Sequence, residues 1–196
     1  TDGSELYVTS NTADWLYKIN SETGDINGVV MDQSIGNVPD MEINRLKPIE
    51  CISVSDSLLY VTCSAGLWFN SFTGTVDTIP GQIQLWNTNS MSLINTFQFS
   101  WKSYPWHIID SPFNDEVFVA LSGDNLSPGS AGVACLTYGP NNMLLKWTTY
   151  SDIFQGLHGI DVSEDGESLF VSGRGDGHLH IIDANDGILI QSVQLA

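Results

Sequence analysis

The stretch LHGIDVSEDGESLFVSGRGDGHLHIIDANDGILIQSVQLA, residues 157–196, contains four short apolar runs separated by turn-forming residues. Each of the three breaks contains an Asp-Gly pair, which supplies the positive-φ residue that a tight turn requires. Four antiparallel strands within about forty residues predict one blade of a β-propeller. The predicted strands are Ile160–Val162, Leu169–Val171, Leu179–Ile182 and Ile188–Val193.

The same unit recurs, imperfectly, along the rest of the chain. Each recurrence has an aromatic residue in its second strand and a turn between its third and fourth strands. No stretch has the 3.6-residue apolar period of an amphipathic helix, so the sequence predicts an all-β fold, a segment of a β-propeller. The predicted blades are 1–46, 47–100, 101–152 and 153–196, with second-strand aromatics Tyr7, Tyr60, Phe118 and Phe170.

The aligned second strands carry a resemblance to a known family. LYVTS at 6–10, LYVTC at 59–63 and SEDGESLFVSG at 163–173 resemble the YVTN-type repeats of bacterial and archaeal surface propellers. The likeness is strong in the first and fourth predicted blades, fair in the second, and weak in the third, where PFND replaces the usual turn at 112–115. Such repeats occur in surface proteins, lactonase-like enzymes and redox proteins, so the resemblance implies a fold and not an activity.

The first predicted blade is one strand short. It has three predicted strands, whereas the fourth blade has four, and a closed ring leaves no unpaired edge. We therefore expect these residues to belong to a longer propeller of seven or eight blades, whose remaining blades complete the ring. Closure by a second copy of the chain is the alternative.

Charge excludes several classes of partner. The 196 residues include 6 Lys and Arg against 23 Asp and Glu, for a formal net charge of −17. Such a surface repels nucleic-acid phosphates and anionic membranes, and no apolar run approaches the roughly 18 residues that cross a bilayer. Few Lys and many Ser, Thr and Asn favour an extracellular or cell-surface location, with the periplasm as an alternative.

The three cysteines have no metal-binding or haem-attachment spacing. Cys51 and Cys63 fall on neighbouring strands of one predicted hairpin, where strand register decides whether a disulfide can form. We favour free, buried thiols for these two cysteines and Cys135, and keep a Cys51–Cys63 disulfide as the alternative.

Candidate binding residues collect on one predicted rim. In a propeller, the loops that lead into first strands and those that join second to third strands lie on the same side. A protein partner or a small-molecule ligand is expected to dock there. The candidate rim residues are Glu50, Trp68, Phe69, Trp106, His107, His158, Arg174, Asp176 and His178.

Histidines at two inner strand starts raise the question of a metal site. The alignment places Trp106, not His107, in the column of His158, and Glu50 takes that place in the second blade. The ring of ligands is therefore not repeated, and we interpret the histidines as structural rather than as metal ligands. We predict no cofactor; calcium or a transition metal is compatible with the charge, but no motif indicates either.

No catalytic motif is present. The chain lacks G-x-S-x-G, a Cys/His pairing with a locating motif, and the phosphate-cradling G-x-x-x-x-G-K. Arg174-Gly175-Asp176 is a tripeptide that some adhesion receptors bind, but it falls in a tight turn where glycine and Asp are favoured for backbone reasons. We therefore assign no catalytic residue and no metal ligand.

The least expected feature is the insertion at 64–81, which carries Trp68, Phe69 and Phe72. Three large apolar rings in a loop are expected to be covered, either by the rim itself or by a partner for which Trp68 is the anchor. We predict a non-enzymatic binding or scaffolding propeller. The alternative is a lactonase-like or metal-dependent enzyme with His107, His158, Glu50 and Arg174 around the central mouth.

Overall fold

The structure is a computed structural model that describes residues 3–32, 44–71, 73–139 and 142–195. Within these ranges the chain forms seventeen β-strands and no helix, so the all-β prediction is confirmed. Accordingly, none of the described residues belongs to a helix with the length and apolar character needed to cross a membrane. The chain divides into two compact units, Thr1–Trp101 and Lys102–Ala196.

The first unit contains two antiparallel sheets, blades 1 and 2, and a separate hairpin. Blade 1 has the strand order β1-β2-β3, and blade 2 has the order β4-β5-β8-β9. The hairpin β6–β7 occupies the insertion that the sequence predicted as a loop. The strands are β1 (Glu5–Ser10), β2 (Trp15–Asn20), β3 (Ile26–Val30), β4 (Pro48–Ser55), β5 (Leu58–Cys63), β6 (Gly66–Asn70), β7 (Thr75–Ile79), β8 (Gln82–Asn87) and β9 (Ser92–Gln98).

The second unit contains blades 3 and 4, each a four-stranded sheet in sequence order. All four strands predicted from residues 157–196 are present, with ends shifted by at most three residues. The strands are β10 (Pro105–Asp110), β11 (Glu116–Leu121), β12 (Gly132–Gly139), β13 (Asn142–Tyr150), β14 (Leu157–Val162), β15 (Ser168–Gly173), β16 (His178–Asp183) and β17 (Leu189–Gln194).

Burial explains why the second strands of blades 2 and 3 have nearly continuous apolar runs. All six residues of β5 (LLYVTC) and of β11 (EVFVAL) are buried, so neither strand shows the alternation of a half-exposed strand. The last strands of blades 1 and 4, β3 and β17, are largely exposed. The core of the first unit centres on Trp86, Leu59 and Leu16, and that of the second on Phe118, Phe154 and Leu157.

The chain enters each four-stranded blade through the same turn. Lys47, Tyr104 and Gly156 stand immediately before the first strands and all have positive φ, at 50°, 46° and 60°. The carbonyl of each accepts a hydrogen bond from the residue that follows the second strand, at 3.0–3.1 Å. This shared turn fixes where every first strand begins and therefore which side chains lie at that end of the blade.

Candidate functional site

A β-bulge follows the turn in all three first strands. The strand register shifts between Pro48 and Cys51, between Pro105 and Ile108, and between Leu157 and Ile160. A bulge adds a residue to one strand and redirects side chains, and it is common beside functional sites. The bulge residues are Ile49 and Glu50 in blade 2, Trp106 and His107 in blade 3, and His158 and Gly159 in blade 4.

The register corrects the predicted alignment at one residue. Counted from the bulge, Ile49 stands in the column of Trp106 and His158, whereas Glu50 stands in the column of His107. The sequence alignment placed Glu50 in the column of His158, and the register shows that this placement is wrong. The acidic side chain occupies the second position of the bulge.

Three predicted rim residues come together in the second unit. The His158 ring centroid lies 4.6 Å from that of His107 and 5.3 Å from that of Trp106. All three side chains are half-buried. The cluster offers imidazole nitrogens beside an aromatic surface, a combination that suits a small polar ligand.

Asp176 has an internal role. Its side chain is 8% exposed, and its carboxylate accepts hydrogen bonds from the backbone N–H groups of Gln155 and His178, both at 2.8 Å. The same carboxylate lies 3.2 Å from Nε2 of His180, whose Nδ1 lies 2.8 Å from the Ser192 hydroxyl. The Asp176 carboxylate is thus fully used in hydrogen bonds within blade 4. These bonds hold the turn together and give a structural reason for the Asp of the Arg-Gly-Asp sequence.

The other two predicted residues of this turn differ in exposure. Arg174 is exposed, and its backbone N–H donates to the Gly156 carbonyl at 3.0 Å. His178 is half-buried, with Nδ1 2.7 Å from the Asp176 carbonyl oxygen and its ring stacked on His180 at 6.0 Å. Among the described residues, no group of three or more His, Cys, Asp or Glu side chains is arranged to hold a metal ion.

Hairpin β6–β7 separates the two rim aromatics onto opposite faces. Phe69 pairs with Val76 and Leu67 pairs with Thr78, so Leu67, Phe69 and Val76 share one face, with exposed fractions of 51%, 63% and 61%. Trp68 points to the other face, where it is half-buried and packs against the core of the first unit. Phe69, rather than Trp68, is therefore the exposed aromatic of the pair; Phe72 lies outside the described residues.

Two basic residues hold the hairpin in place. The Arg45 guanidinium lies 5.3 Å from the Trp68 ring centroid, a cation–π distance. The Lys47 ammonium donates to the Leu67 carbonyl at 2.9 Å. The inner face of the hairpin is thus attached to the segment that leads into β4.

A buried carboxylate organises that segment. Asp14 is 1% exposed and accepts hydrogen bonds from the backbone N–H groups of Leu46 and Lys47, both at 2.8 Å. Burial raises the pKa of Asp14 to about 6, although the backbone hydrogen bonds oppose the shift. Nothing in the sequence around Asp14 shows that its carboxylate is enclosed.

The three cysteines are free thiols. Cys51 lies opposite Val61 and Cys63 lies opposite Pro48, so the register does not pair the two cysteines. Burial raises the pKa of Cys51 to about 11 and that of Cys135 to about 12, and holds the pKa of Cys63 well above its usual value. These thiols are therefore unsuited to nucleophilic chemistry at neutral pH.

Similarity to known proteins lies in the fold. No protein-family model matches the chain, and no curated protein sequence matches it. Solved structures do match: a proposed 6-phosphogluconolactonase from Bacteroides uniformis (13% identity, TM-score 0.66) covers 99% of this chain, which covers 52% of that one. The Swd1 β-propeller domain of Myceliophteria thermophila also matches, with 10% identity and a TM-score of 0.67. This match covers 100% of the present chain and 58% of the Swd1 domain chain.

A third match is Kuenenia stuttgartiensis hydrazine synthase, with 12% identity, a TM-score of 0.66, and coverage of 98% of this chain and 60% of that one. The chain thus spans about half to three-fifths of the length of these structures. At such identities the matches show the β-propeller fold, which is confirmed, and leave the resemblance to YVTN-type repeats as a prediction.

Proposed function

We propose that the chain is a non-enzymatic binding propeller that recognises a protein partner through the outer face of hairpin β6–β7. The observation that carries this proposal is the exposure of Leu67, Phe69 and Val76 on one face of a two-stranded sheet. Exposed apolar groups that adjoin one another are typical of interaction surfaces. Phe69 at the centre of the face is the anchor.

The hairpin suits recognition because it is held from below. Trp68 and Ile79 pack against the core of the first unit, while Arg45 and Lys47 contact the inner face and the backbone of the hairpin. A face presented by a supported sheet loses little conformational entropy on binding. The free energy gained by burying the apolar face is therefore not offset by the cost of ordering the hairpin.

Charge defines the chemistry of the partner. The hairpin contains one charged residue, Asp77, in a chain with a net charge of −17. A partner with an apolar patch ringed by Lys and Arg complements this surface, because opposite potentials speed association and suppress wrong partners. The same negative charge disfavours an anionic lipid surface.

Selection from a displayed library of random twelve-residue peptides tests the proposal. We expect the selected peptides to combine apolar residues with Lys or Arg, and their Kd to rise with NaCl concentration. The double variant F69S/V76S should weaken binding by about ten-fold or more, since each 1.4 kcal/mol is a factor of ten. I190S is the matched control, because Ile190 is 57% exposed on β17. Equal binding to F69S/V76S, or peptides without basic residues, would contradict the proposal.

The second candidate is a lactonase-like enzyme at the strand starts of the second unit. The contact between the His107 and His158 rings favours it, together with the fold similarity to proposed 6-phosphogluconolactonases. Hydrolysis of gluconolactone and 6-phosphogluconolactone above the uncatalysed rate, abolished by H158A, would establish this candidate over a purely binding role. Stoichiometric copper, zinc or iron in the purified protein would favour a metal-dependent variant of it.

A further inference from the structure

A cleft of about 350 Å³, lined by both polar and apolar residues, opens beside β8 and β9 in the first unit. Its volume is within the range of roughly 300–1,000 Å³ that small-molecule sites occupy. Its apolar lining residues are Met31, Leu46, Ile79, Pro80 and Leu93. Its polar lining residues are Asp32, Arg45, Thr78, Gln82, Gln84, Thr96 and Gln98.

Strand register groups four of the polar lining residues. Gln82 pairs with Gln98 and Gln84 pairs with Thr96, so their four side chains lie on one face of the β8–β9 ladder. Two neighbouring amides on adjacent strands offer donors and acceptors side by side. Such an arrangement suits a ligand with several hydroxyl groups, because each hydroxyl both donates and accepts.

The two amides on β8 differ in how they are satisfied. Gln84 donates to the Met31 carbonyl at 3.4 Å and accepts from the Trp86 indole at 2.9 Å. Gln82 is 6% exposed, yet its side-chain amide makes no hydrogen bond with any residue that the structure describes. A nearly buried amide without a protein partner is costly unless water or a ligand satisfies it, and Gln82 faces the cleft.

The charges in the cleft cancel. The Arg45 guanidinium lies 2.7 Å from the Asp32 carboxylate, and both side chains are largely shielded from solvent. An anionic ligand would meet Asp32, and a cationic ligand would meet Arg45. A neutral ligand loses no ionic hydration on entering and leaves the ion pair intact.

Blade 4 shows that the repeat does not by itself create the opening. Phe154 stands third before the first strand of blade 4, the place that Arg45 occupies in blade 2, and His180 stands in the place of Gln84. The Phe154 ring is 2% exposed and packs edge-on against His180 at 4.7 Å. The space that an aromatic ring fills in blade 4 is therefore open and polar in blade 2.

We propose that this cleft binds a neutral, hydroxyl-rich small molecule, a monosaccharide or a cyclic polyol, with the Gln82 and Gln98 amides bonded to its hydroxyls. The apolar lining residues contact the C–H groups of the ring, and the Asp32–Arg45 pair bounds the site. Thr78 borders the cleft and pairs with Leu67 in the hairpin, but the residues that carry the two proposals differ, so separate variants test them.

Saturation-transfer NMR tests the proposal with glucose, galactose, mannose and myo-inositol as neutral probes, and with gluconate and glucosamine as charged ones. We expect saturation transfer to at least one neutral probe, and titration should then give a Kd that Q82L and Q98L each raise by about ten-fold. Q194L is the matched control, because Gln194 pairs with His178 in blade 4 as Gln98 pairs with Gln82 in blade 2.

Stability separates binding from misfolding. Because Gln82 makes no hydrogen bond within the described residues, Q82L should keep the melting temperature of the wild type while losing the ligand. No transfer to any neutral probe at millimolar concentration would overturn the proposal. Stronger binding of gluconate or glucosamine than of every neutral probe, or equal binding to Q82L and Q98L, would overturn it as well.

Discussion

The Thr62 hydroxyl occupies the bulge of β4, where it accepts a hydrogen bond from the Glu50 N–H at 3.2 Å and lies 3.5 Å from the Glu50 carbonyl oxygen. Ser172 repeats the relationship in blade 4, accepting from the Gly159 N–H at 3.0 Å and lying 3.5 Å from the Gly159 carbonyl oxygen. One hydroxyl thus satisfies the backbone groups that the bulge removes from the ladder. The bulge is therefore part of the repeated module rather than an irregularity of one blade.

Removing this hydroxyl should destabilise either unit. We expect T62V and S172A each to lower the free energy of unfolding by about 1–2 kcal/mol, because a backbone N–H in the bulge loses its partner. The two losses should add within about 0.5 kcal/mol, since the residues share no partner. Urea denaturation measures both, with T78V on the exposed hairpin as the control. A loss no larger than that of T78V would contradict the role.

Asp14 should make stability depend on pH in an unusual direction. Its pKa is raised from 3.8 to about 6 in the folded chain, so the folded state binds a proton that the unfolded state has released. The stabilisation is complete below pH 3.8 and is lost as the pH rises through 6. Relative to D14N, the free energy of unfolding of the wild type should fall by up to about 3 kcal/mol between pH 4 and pH 7. A difference that is flat or rises over this range would contradict the assignment.

Asp176 should matter for stability and Arg174 should not. D176A leaves the N–H groups of Gln155 and His178 and one nitrogen of His180 without their acceptor. We expect a loss of about 2–3 kcal/mol on thermal or urea unfolding. R174A, an exposed change, should stay within about 0.5 kcal/mol of the wild type. Equal effects of the two substitutions would refute the turn role of the carboxylate.

The thiols should resist alkylation in the folded protein. With the pKa of Cys51 near 11 and that of Cys135 near 12, little thiolate exists at pH 8. We expect iodoacetamide to modify the native chain more than about 100-fold more slowly than free cysteine, and to modify all three thiols after denaturation. Mass spectrometry reads both states. Rapid labelling of any cysteine in the native chain would show that its environment differs.

The blades were predictable because strong local signals coincide in the sequence. Apolar runs such as LFVSG at 169–173 are bounded by Asp-Gly turns, and Gly166 and Gly187 take the positive φ that those turns require. The largely apolar β5 and β11 were also recognisable, since short continuous runs are typical of strands buried on both faces. Hence both the existence and the order of the blade strands agree with expectation.

The details of the site depend on signals that a single sequence does not carry. Lys47 and Tyr104 adopt the positive φ that Gly156 adopts, although long side chains rarely do so, and the shared turn was missed for that reason. Because of the bulge, Glu50 aligns with His107 and not with His158, one position away from its place in the sequence alignment. The cleft was missed because Asp32, Arg45 and Gln82 come from separate segments that only the folded chain brings together.

The hairpin could have been recognised. GLWFN at 66–70 and TVDTI at 75–79 are both rich in strand-forming residues, and Gly74 takes a positive φ between them. The aromatic load favoured an interpretation as a covered loop instead. The two faces of the hairpin resolve this: Trp68 is the covered ring and Phe69 the exposed one.

Backbone hydrogen–deuterium exchange of the chain, with and without a peptide selected on it, tests the central claim most directly. The account predicts that the peptide slows exchange within Gly66–Ile79 and leaves the strand starts at Trp106, His107 and His158 unchanged. Slower exchange at those strand starts, with none in the hairpin, would contradict it and place recognition at the histidine cluster.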